Sequence, residues 1–484
     1  MNTFDIVTVG VLGPYLLSML FIGWLSSKKV KDTTDFLVAG RRLGFLFATA
    51  TMFATWFGSE SVMGTAGTVY RVGLRGVIAD PFGASFVLIL AGVSYAVAFR
   101  RMNFLTVTDL FGKFYSKETE IFASLLMMPV YIGWLGAQIV ATGLLFYTFT
   151  GISPDIGMLL GTAVVLIYTL SGGMWAVTIT DFIQMIILIA GIIVILPFVI
   201  QNCGGINNVI NNTPKEFLTI FPQEWNFNTL STFLGKWFII GLGCAVGQDL
   251  IQRSLSSKTE QVARWSAITA GIIYFIIGCI VIFIGLAARI MMPGLENSEN
   301  LIPILANKYL GNVHPFLFAL FISGLLAAIM SSADSSLLAA VSIFCNNIFQ
   351  KVYPNVAAVN LLLVNRITTV VVVILSMLIA LHVKQIYNLM VNSWSTLLVS
   401  IFVPSTVALF MKKFTSVTAC WVSMVSGFIV WAGYIIFKTG KFIICDETID
   451  VFYQASFLGF LSSVVGYFCT FLVAKLLSQN TSQT

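Results

Sequence analysis

Apolar stretches of about twenty residues recur along the whole chain, separated by short segments containing Gly, Pro and charged residues. Hydrophobic residues make up 58% of the 484 residues and charged residues only 10%, unlike the composition of a soluble domain. The pattern predicts an all-α polytopic membrane protein. About 13 spans are predicted, near residues 5–26, 43–70, 79–99, 120–147, 153–172, 176–200, 230–252, 266–290, 313–348, 362–382, 386–411, 415–437 and 450–474.

The positive charges indicate how these spans are oriented. Most Lys and Arg residues fall on one side of the predicted topology, including Lys28, Arg41, Arg100 and Lys412. Because cytoplasmic loops carry such an excess, we expect the N-terminus outside, the C-terminus in the cytoplasm and the protein in the cell membrane. The net charge of +6 follows from this topology and does not indicate a nucleic-acid partner.

The spacing of the spans predicts two structural repeats. Residues 1–42 contain a leading helix and a cytoplasmic loop, and five spans fall in each of the segments 43–200 and 230–411. Residues 201–229 form an extracellular loop between them, and residues 412–484 contain two trailing helices and a cytoplasmic tail. With an odd number of helices per half, the second half is inverted relative to the first, which lets two gates form around one site.

The first helix of each half is predicted to be interrupted. Residues 53–61 read FATWFGSES, with Gly58 among polar residues in mid-span, and residues 241–249 read GLGCAVGQD. Glycines and acids in mid-span are costly unless the helix is broken there. Glycine also serves close packing between membrane helices, but the matching positions in the two halves favour interruption.

Residues 325–336 read LLAAIMSSADSS, which places four serines and an aspartate inside an otherwise apolar segment. Ala328, Ser331, Ser332 and Ser335 are spaced i, i+3, i+4 and i+7, so on a helix they share one face. Serines alone often serve helix packing, but a charged side chain at bilayer depth costs about 2.5 to 3.5 kcal/mol. Hard oxygen ligands suit a small cation, so we interpret this run as a coupling-ion site.

Four stretches together resemble the sodium:solute symporter family. They are residues 35–42 (DFLVAGRR), 171–184 (SGGMWAVTITDFIQ), 252–257 (QRSLSS) and the serine run. The resemblance implies a LeuT-like, five-plus-five inverted-repeat core and transport coupled to sodium. Within the family the sequence is most similar to the high-affinity choline transporter branch and to proline-symporter-like bacterial members.

The resemblance also implies where sodium binds. In this family one sodium lies between the interrupted first core helix and the eighth, held by carbonyls and hydroxyls. The matching residues here are Ala54, Phe57 and Ala328 for the carbonyls and Ser331 and Ser332 for the hydroxyls. Some members bind a second sodium, and its matching positions here are Asp181, Asp334, Ser331 and Ser335. Helix capping is the alternative role for Asp181, and a salt bridge with a basic partner is the alternative for Asp334.

Candidate solute-binding residues lie near the two interrupted helices. They are Trp56, Glu60, Ser61, Trp134, Gln248 and Asp249. Trp56 and Trp134 supply two aromatic walls for a quaternary ammonium, which is attracted to ring faces, although Trp134 has lipid- or helix-facing packing as its alternative. Two further walls expected from the choline branch are replaced by Gly247 and Ala84. We therefore expect a proline-like amino acid or another small amine or zwitterion, with choline as the alternative.

Together with the resemblance, these features predict a sodium-coupled symporter that acts by alternating access, as a monomer, with sodium as its cofactor. A proton-coupled carrier is the alternative, with Asp181 or Asp334 as the titrating group. A channel would need a continuous polar lining, and an enzyme would need a nucleophile–base pair or metal spacing that the sequence does not offer. Asp80, just before Pro81, is predicted to cap a helix on the outer side, with a gating role as the alternative. Cys203 and Cys445 both fall in predicted outer loops, so a disulfide between them is left open.

Overall fold

The computed structural model describes residues 3–295, 298–311, 314–382, 393–440 and 448–481. Within them the chain is almost entirely helical. Ten helices are long and apolar enough to cross a membrane, and two shorter apolar helices, Leu12–Ser27 and Phe45–Trp56, accompany them. The prediction of an all-α polytopic membrane protein is therefore confirmed.

We number the helical segments α1 to α13 in chain order. They are α1 (Thr3–Ser27), α2 (residues 45–72), α3 (Ile78–Met102), α4 (Lys117–Thr150), α5 (residues 154–172), α6 (residues 174–202), α7 (Phe227–Ser256), α8 (Glu260–Met291), α9 (Pro315–Val352), α10 (Ala358–His382), α11 (Ser393–Phe410), α12 (Val417–Thr439) and α13 (Ile449–Thr481). The start of the predicted span 386–411 and Cys445 both lie outside the described residues.

The segments α5 and α6 belong to one helical run, Pro154–Asn202, of 49 residues. A straight helix of that length would measure about 74 Å, more than twice the hydrocarbon thickness of a bilayer. Gly173 divides the run, because its φ of 50° and ψ of −140° are not helical. The predicted spans 153–172 and 176–200 therefore correspond to two segments that join at this glycine.

Gly173 also packs closely against Phe36, which gives a first testable prediction. A Cβ at position 173 would lie 2.5 Å from the Phe36 carbonyl oxygen and 2.7 Å from its ring. Because the positive φ adds about 1–2 kcal/mol of strain for an L-residue and the Phe36 backbone must also move, Gly173→Ala is expected to lower the thermal unfolding temperature by at least about 1–2 °C in a chain of this length. Gly433→Ala, where a Cβ would meet nothing within 4 Å, is the matched control. Equal unfolding temperatures for the two variants would contradict this role for Gly173.

Both predicted interruptions are present. The helix of α2 stops at Trp56, where Phe57 adopts φ −89° and ψ 64°, and it resumes at Glu60. The helix of α7 stops at Gly241 and resumes at Gln248, after a single 3-10 turn. Both breaks leave backbone carbonyls free of the regular helical ladder in the middle of the molecule.

The helix that carries the serine run lies in the centre of the molecule. Among the ten long helices, α9 is the most buried, and it packs against α1, α4 and the α5–α6 run. Every residue from Phe321 to Ile343 is buried. The polar residues of α9 therefore face neighbouring helices rather than lipid, as the cost of exposing them to hydrocarbon requires.

Candidate functional site

Asp181 on α6 lies where three helices meet. It belongs to a group of buried polar residues that we call the polar centre on α9, which consists of Thr51, Asp181, Ser331, Ser332, Asp334 and Ser335. Its carboxylate accepts a hydrogen bond from the Ser331 hydroxyl on α9 at 2.6 Å, and another from the Thr51 hydroxyl on α2. Asp181 is fully buried, and Ser331 is 1% exposed. Three hard oxygen donors from three helices therefore converge, and the carboxylate binds side chains of other helices rather than capping its own.

Ser332 lies beside the interruption of α2. Its hydroxyl donates to the carbonyl oxygen of Thr55 at 2.9 Å and fills the space next to Gly58. A side chain on Gly58 would collide with this hydroxyl, which explains the glycine at the break. The carbonyl-bearing residues expected to accompany it, which are Ala54, Phe57 and Ala328, are all buried in the same two helices.

Asp334 and Ser335 form a neighbouring part of this polar centre. The Tyr168 hydroxyl donates to Asp334 at 2.5 Å, and Ser335 Oγ lies 3.2 Å from the same carboxylate. Ser335 Oγ is also 3.0 Å from Thr55 Oγ1 and accepts a hydrogen bond from the buried Arg253 guanidinium of α7. The basic partner considered for Asp334 thus reaches it through Ser335, and within the described chain no direct ion pair joins the two.

Four aromatic residues pack together around Trp56, the last residue before the α2 interruption. The rings of Trp56 and Trp394 are stacked with centroids 5.7 Å apart, and Trp134 meets Trp394 edge-on at 5.1 Å. Tyr131 lies 6.4 Å from Trp134. We call these four residues the aromatic cluster. None is more than 3% exposed, so Trp134 does not face lipid, and its ring packs against another helix through Trp394.

Two carboxylates are hydrogen-bonded to the edges of the aromatic cluster. Asp249 accepts from Trp56 Nε1 at 2.6 Å and from the Tyr131 hydroxyl at 3.1 Å. Glu60 accepts from Trp134 Nε1 at 3.3 Å. Ring faces beside carboxylate groups are the kind of surroundings that attract a positively charged nitrogen.

The side chains of two predicted solute ligands, Gln248 and Ser61, are hydrogen-bonded to residues outside the aromatic cluster. The Gln248 side chain accepts from the Val107 N–H at 2.7 Å and donates to Ser342 Oγ at 3.0 Å, so it ties α7 to the segment after α3 and to α9. The Ser61 hydroxyl lies 2.7 Å from Asp80 Oδ2. Adjacent helical residues point in different directions, so the side chains of Gln248 and Ser61 have different partners from those of Asp249 and Glu60.

Three residues of these sites were not predicted from the sequence, namely Thr51, Tyr131 and Trp394. Tyr131 precedes Trp134 by one helical turn, so its place on the same face was readable from the spacing. Thr51 lies one turn before Thr55, and its partner is on a distant helix. Trp394 stands at the start of α11, and no local pattern connects it to Trp56.

Comparisons with known proteins agree with this architecture. A profile of the sodium:solute symporter family matches residues 36–427. The chain is 28% identical over 388 residues to High-affinity choline transporter 1 of Caenorhabditis elegans, covering 75% of this chain and only 65% of that longer protein. It is 27% identical over 399 residues to the Osmoregulated proline transporter OpuE of Bacillus subtilis, covering 79% and 80% of the two chains.

A solved structure has the same fold. It is described as the substrate-bound outward-open state of a Na+-coupled sialic acid symporter, with a TM-score of 0.83 and 22% identity. The match covers 96% of this chain and 98% of that one. The LeuT-like fold predicted from the sequence is therefore confirmed.

Proposed function

This chain belongs to the sodium:solute symporter family, and from that premise we propose that it carries a small organic solute into the cell by sodium-coupled alternating access. It is an integral membrane protein, and the distribution of Lys and Arg supports an outside N-terminus and a cytoplasmic C-terminus. The interrupted helices α2 and α7 supply the paired half-helices around which such transporters open alternately to each side.

Sodium is the ion we propose for the polar centre on α9. Carboxylate, hydroxyl and carbonyl oxygens are hard donors, and Asp181, Ser331 and Ser332 present them where α2, α6 and α9 meet. The proposed first site uses Ala54, Phe57, Ala328, Ser331 and Ser332. The proposed second site uses Asp181, Asp334 and Ser335. Each sodium moved inward gains about 2.3 kcal/mol per 100 mV, which supports roughly 50-fold solute accumulation.

The proposed solute carries a positively charged nitrogen. The observation that supports this most strongly is the stack of Trp56 and Trp394, with the Asp249 carboxylate bonded to the Trp56 edge. Ring faces attract any ammonium group, and the two carboxylates add charge that suits an amine or zwitterion such as proline. Choline is the second candidate, because Trp394 and Tyr131 supply aromatic walls beyond the two found in the sequence.

Uptake into proteoliposomes tests this proposal. A labelled panel of proline, other amino acids, choline, a sugar and pantothenate is offered under an imposed sodium gradient, with Ser332→Ala as the matched variant. We expect sodium-dependent uptake of one amine-bearing compound and its loss by at least tenfold in Ser332→Ala. Uptake driven by a proton gradient alone, and unaffected by Ser332→Ala, would favour the proton-coupled alternative.

A further inference from the structure

A second group of buried oxygens is separate from the polar centre on α9 and shares only Trp56 with the aromatic cluster. It consists of Asp80 on α3, Ser61 on α2, Tyr274 on α8 and the carbonyl of Trp56, and we call it the Asp80 cluster. None of the four residues is more than 4% exposed. The Asp80 carboxylate faces hydroxyls of α2 and α8, and its predicted role as a helix cap is not what the contacts describe.

Five close oxygen–oxygen contacts hold this cluster together. Ser61 Oγ lies 2.7 Å from Asp80 Oδ2, 2.5 Å from the Tyr274 hydroxyl and 3.1 Å from the Trp56 carbonyl oxygen. The Tyr274 hydroxyl lies 2.9 Å from Asp80 Oδ1 and 3.0 Å from the Trp56 carbonyl oxygen. Every oxygen of the cluster therefore has at least two oxygen neighbours except the two carboxylate atoms, which have one hydroxyl each.

The number of protons is too small for these contacts. Ser61 and Tyr274 each supply one hydroxyl proton, so only two of the five contacts are hydrogen bonds when Asp80 is ionised. The other three contacts bring lone pairs together, and a positive charge shared among these oxygens would stabilise the arrangement. Within the described residues no Lys, Arg or His forms an ion pair with Asp80. The arrangement therefore favours a bound cation.

We propose that the Asp80 cluster is a monovalent-cation site, filled by sodium during transport, in addition to the sites on α9. One carboxylate, two hydroxyls and a carbonyl are hard oxygen ligands. In the described part of the chain no three His, Cys, Asp or Glu side chains converge as a transition metal would require. The Trp56 carbonyl is free for this role because the α2 helix stops at that residue.

This position would link the ion to the solute through a single residue. The backbone carbonyl of Trp56 belongs to the Asp80 cluster, while its ring and Nε1 belong to the aromatic cluster and Asp249. A cation bound to the carbonyl fixes the ring that faces the solute, so ion binding raises solute affinity and solute binding raises ion affinity equally. The choice of sodium as the ion rests on the proposed function.

Counting bound sodium tests the inference. Equilibrium binding of radioactive sodium to the purified full-length protein is compared for the native chain, Asp80→Asn and Tyr274→Phe, with thermal unfolding as the folding control. We expect Asp80→Asn, which keeps the shape of the side chain, to bind one sodium fewer per protein. Tyr274→Phe keeps the ring against Phe53 and Phe57 and is expected to weaken one sodium about tenfold.

The outcomes separate this inference from the proposed function. An unchanged sodium count in both variants would overturn the cation site while leaving the sites on α9 intact. An unchanged count with an altered pH dependence of solute uptake would also overturn it, because the cluster would then hold a proton. Absence of sodium binding to the native chain would overturn the proposed function itself. If Asp80→Asn does not fold, the sodium affinity of Tyr274→Phe decides whether the Asp80 cluster binds a cation.

Discussion

Asp181→Asn is expected to weaken sodium binding about 100-fold. The Asp181 carboxylate accepts hydrogen bonds from Ser331 and Thr51 in a fully buried site between α2, α6 and α9. Asparagine has the same shape but carries no charge, and truncating a buried charge interaction costs about 2–5 kcal/mol. The half-saturating sodium concentration for uptake or binding should rise accordingly.

The matched control for this variant is Asp155→Asn. Asp155 belongs to the same helical run but is exposed at its start. Its replacement is expected to leave the sodium dependence unchanged within twofold. If Asp181→Asn folds and keeps the native sodium dependence, Asp181 does not contribute to ion binding, and its role is limited to joining the three helices.

Asp249→Asn is expected to weaken solute binding about 30-fold or more, with sodium binding changed less than twofold. The Asp249 carboxylate accepts from Trp56 Nε1 and the Tyr131 hydroxyl, so its charge lies at the edge of two rings of the aromatic cluster. Removing that charge removes the attraction for an ammonium group and leaves a side chain of similar size. Direct binding of the labelled compound found in the uptake panel measures the effect.

Asp450→Asn is the control for this second variant. Asp450 pairs with Lys236 at 3.7 Å near the start of α13 and is largely exposed, so its replacement should not alter solute affinity. An unchanged affinity in Asp249→Asn would mean that the solute does not carry its positive charge near Trp56. A loss of sodium affinity as large as the loss of solute affinity would mean that Asp249 acts on the ion instead.

The sequence predicted most of what local chemistry determines. The interruptions of α2 and α7 follow from glycines beside polar residues in mid-span, because neither is tolerated in an unbroken membrane helix. The division at Gly173 follows from the glycines beside Ser171, which lie between two apolar stretches. The polar face of α9 follows from helical spacing alone.

The parts that the sequence did not predict depend on contacts between distant segments. Trp56 and Trp394 stack although they lie in opposite halves of the chain. The Thr51 hydroxyl on α2 donates a hydrogen bond to Asp181 on α6, which is 130 residues away in sequence. Gln248 follows Gly247 at the break of α7, yet its side chain turns toward Val107 and Ser342. Such pairings are decided by how the helices pack, and a single sequence carries no local signal for them.

The most direct test of the central claim is the flux of sodium that accompanies the solute. Radioactive sodium and the identified solute, which carries a second label, are supplied outside proteoliposomes that contain the native protein, and the uptake of each is counted over the same interval. Sodium-coupled symport predicts a fixed ratio of at least one sodium per solute, lost together with solute uptake in Ser332→Ala. Solute uptake at an undiminished rate without accompanying sodium would contradict it.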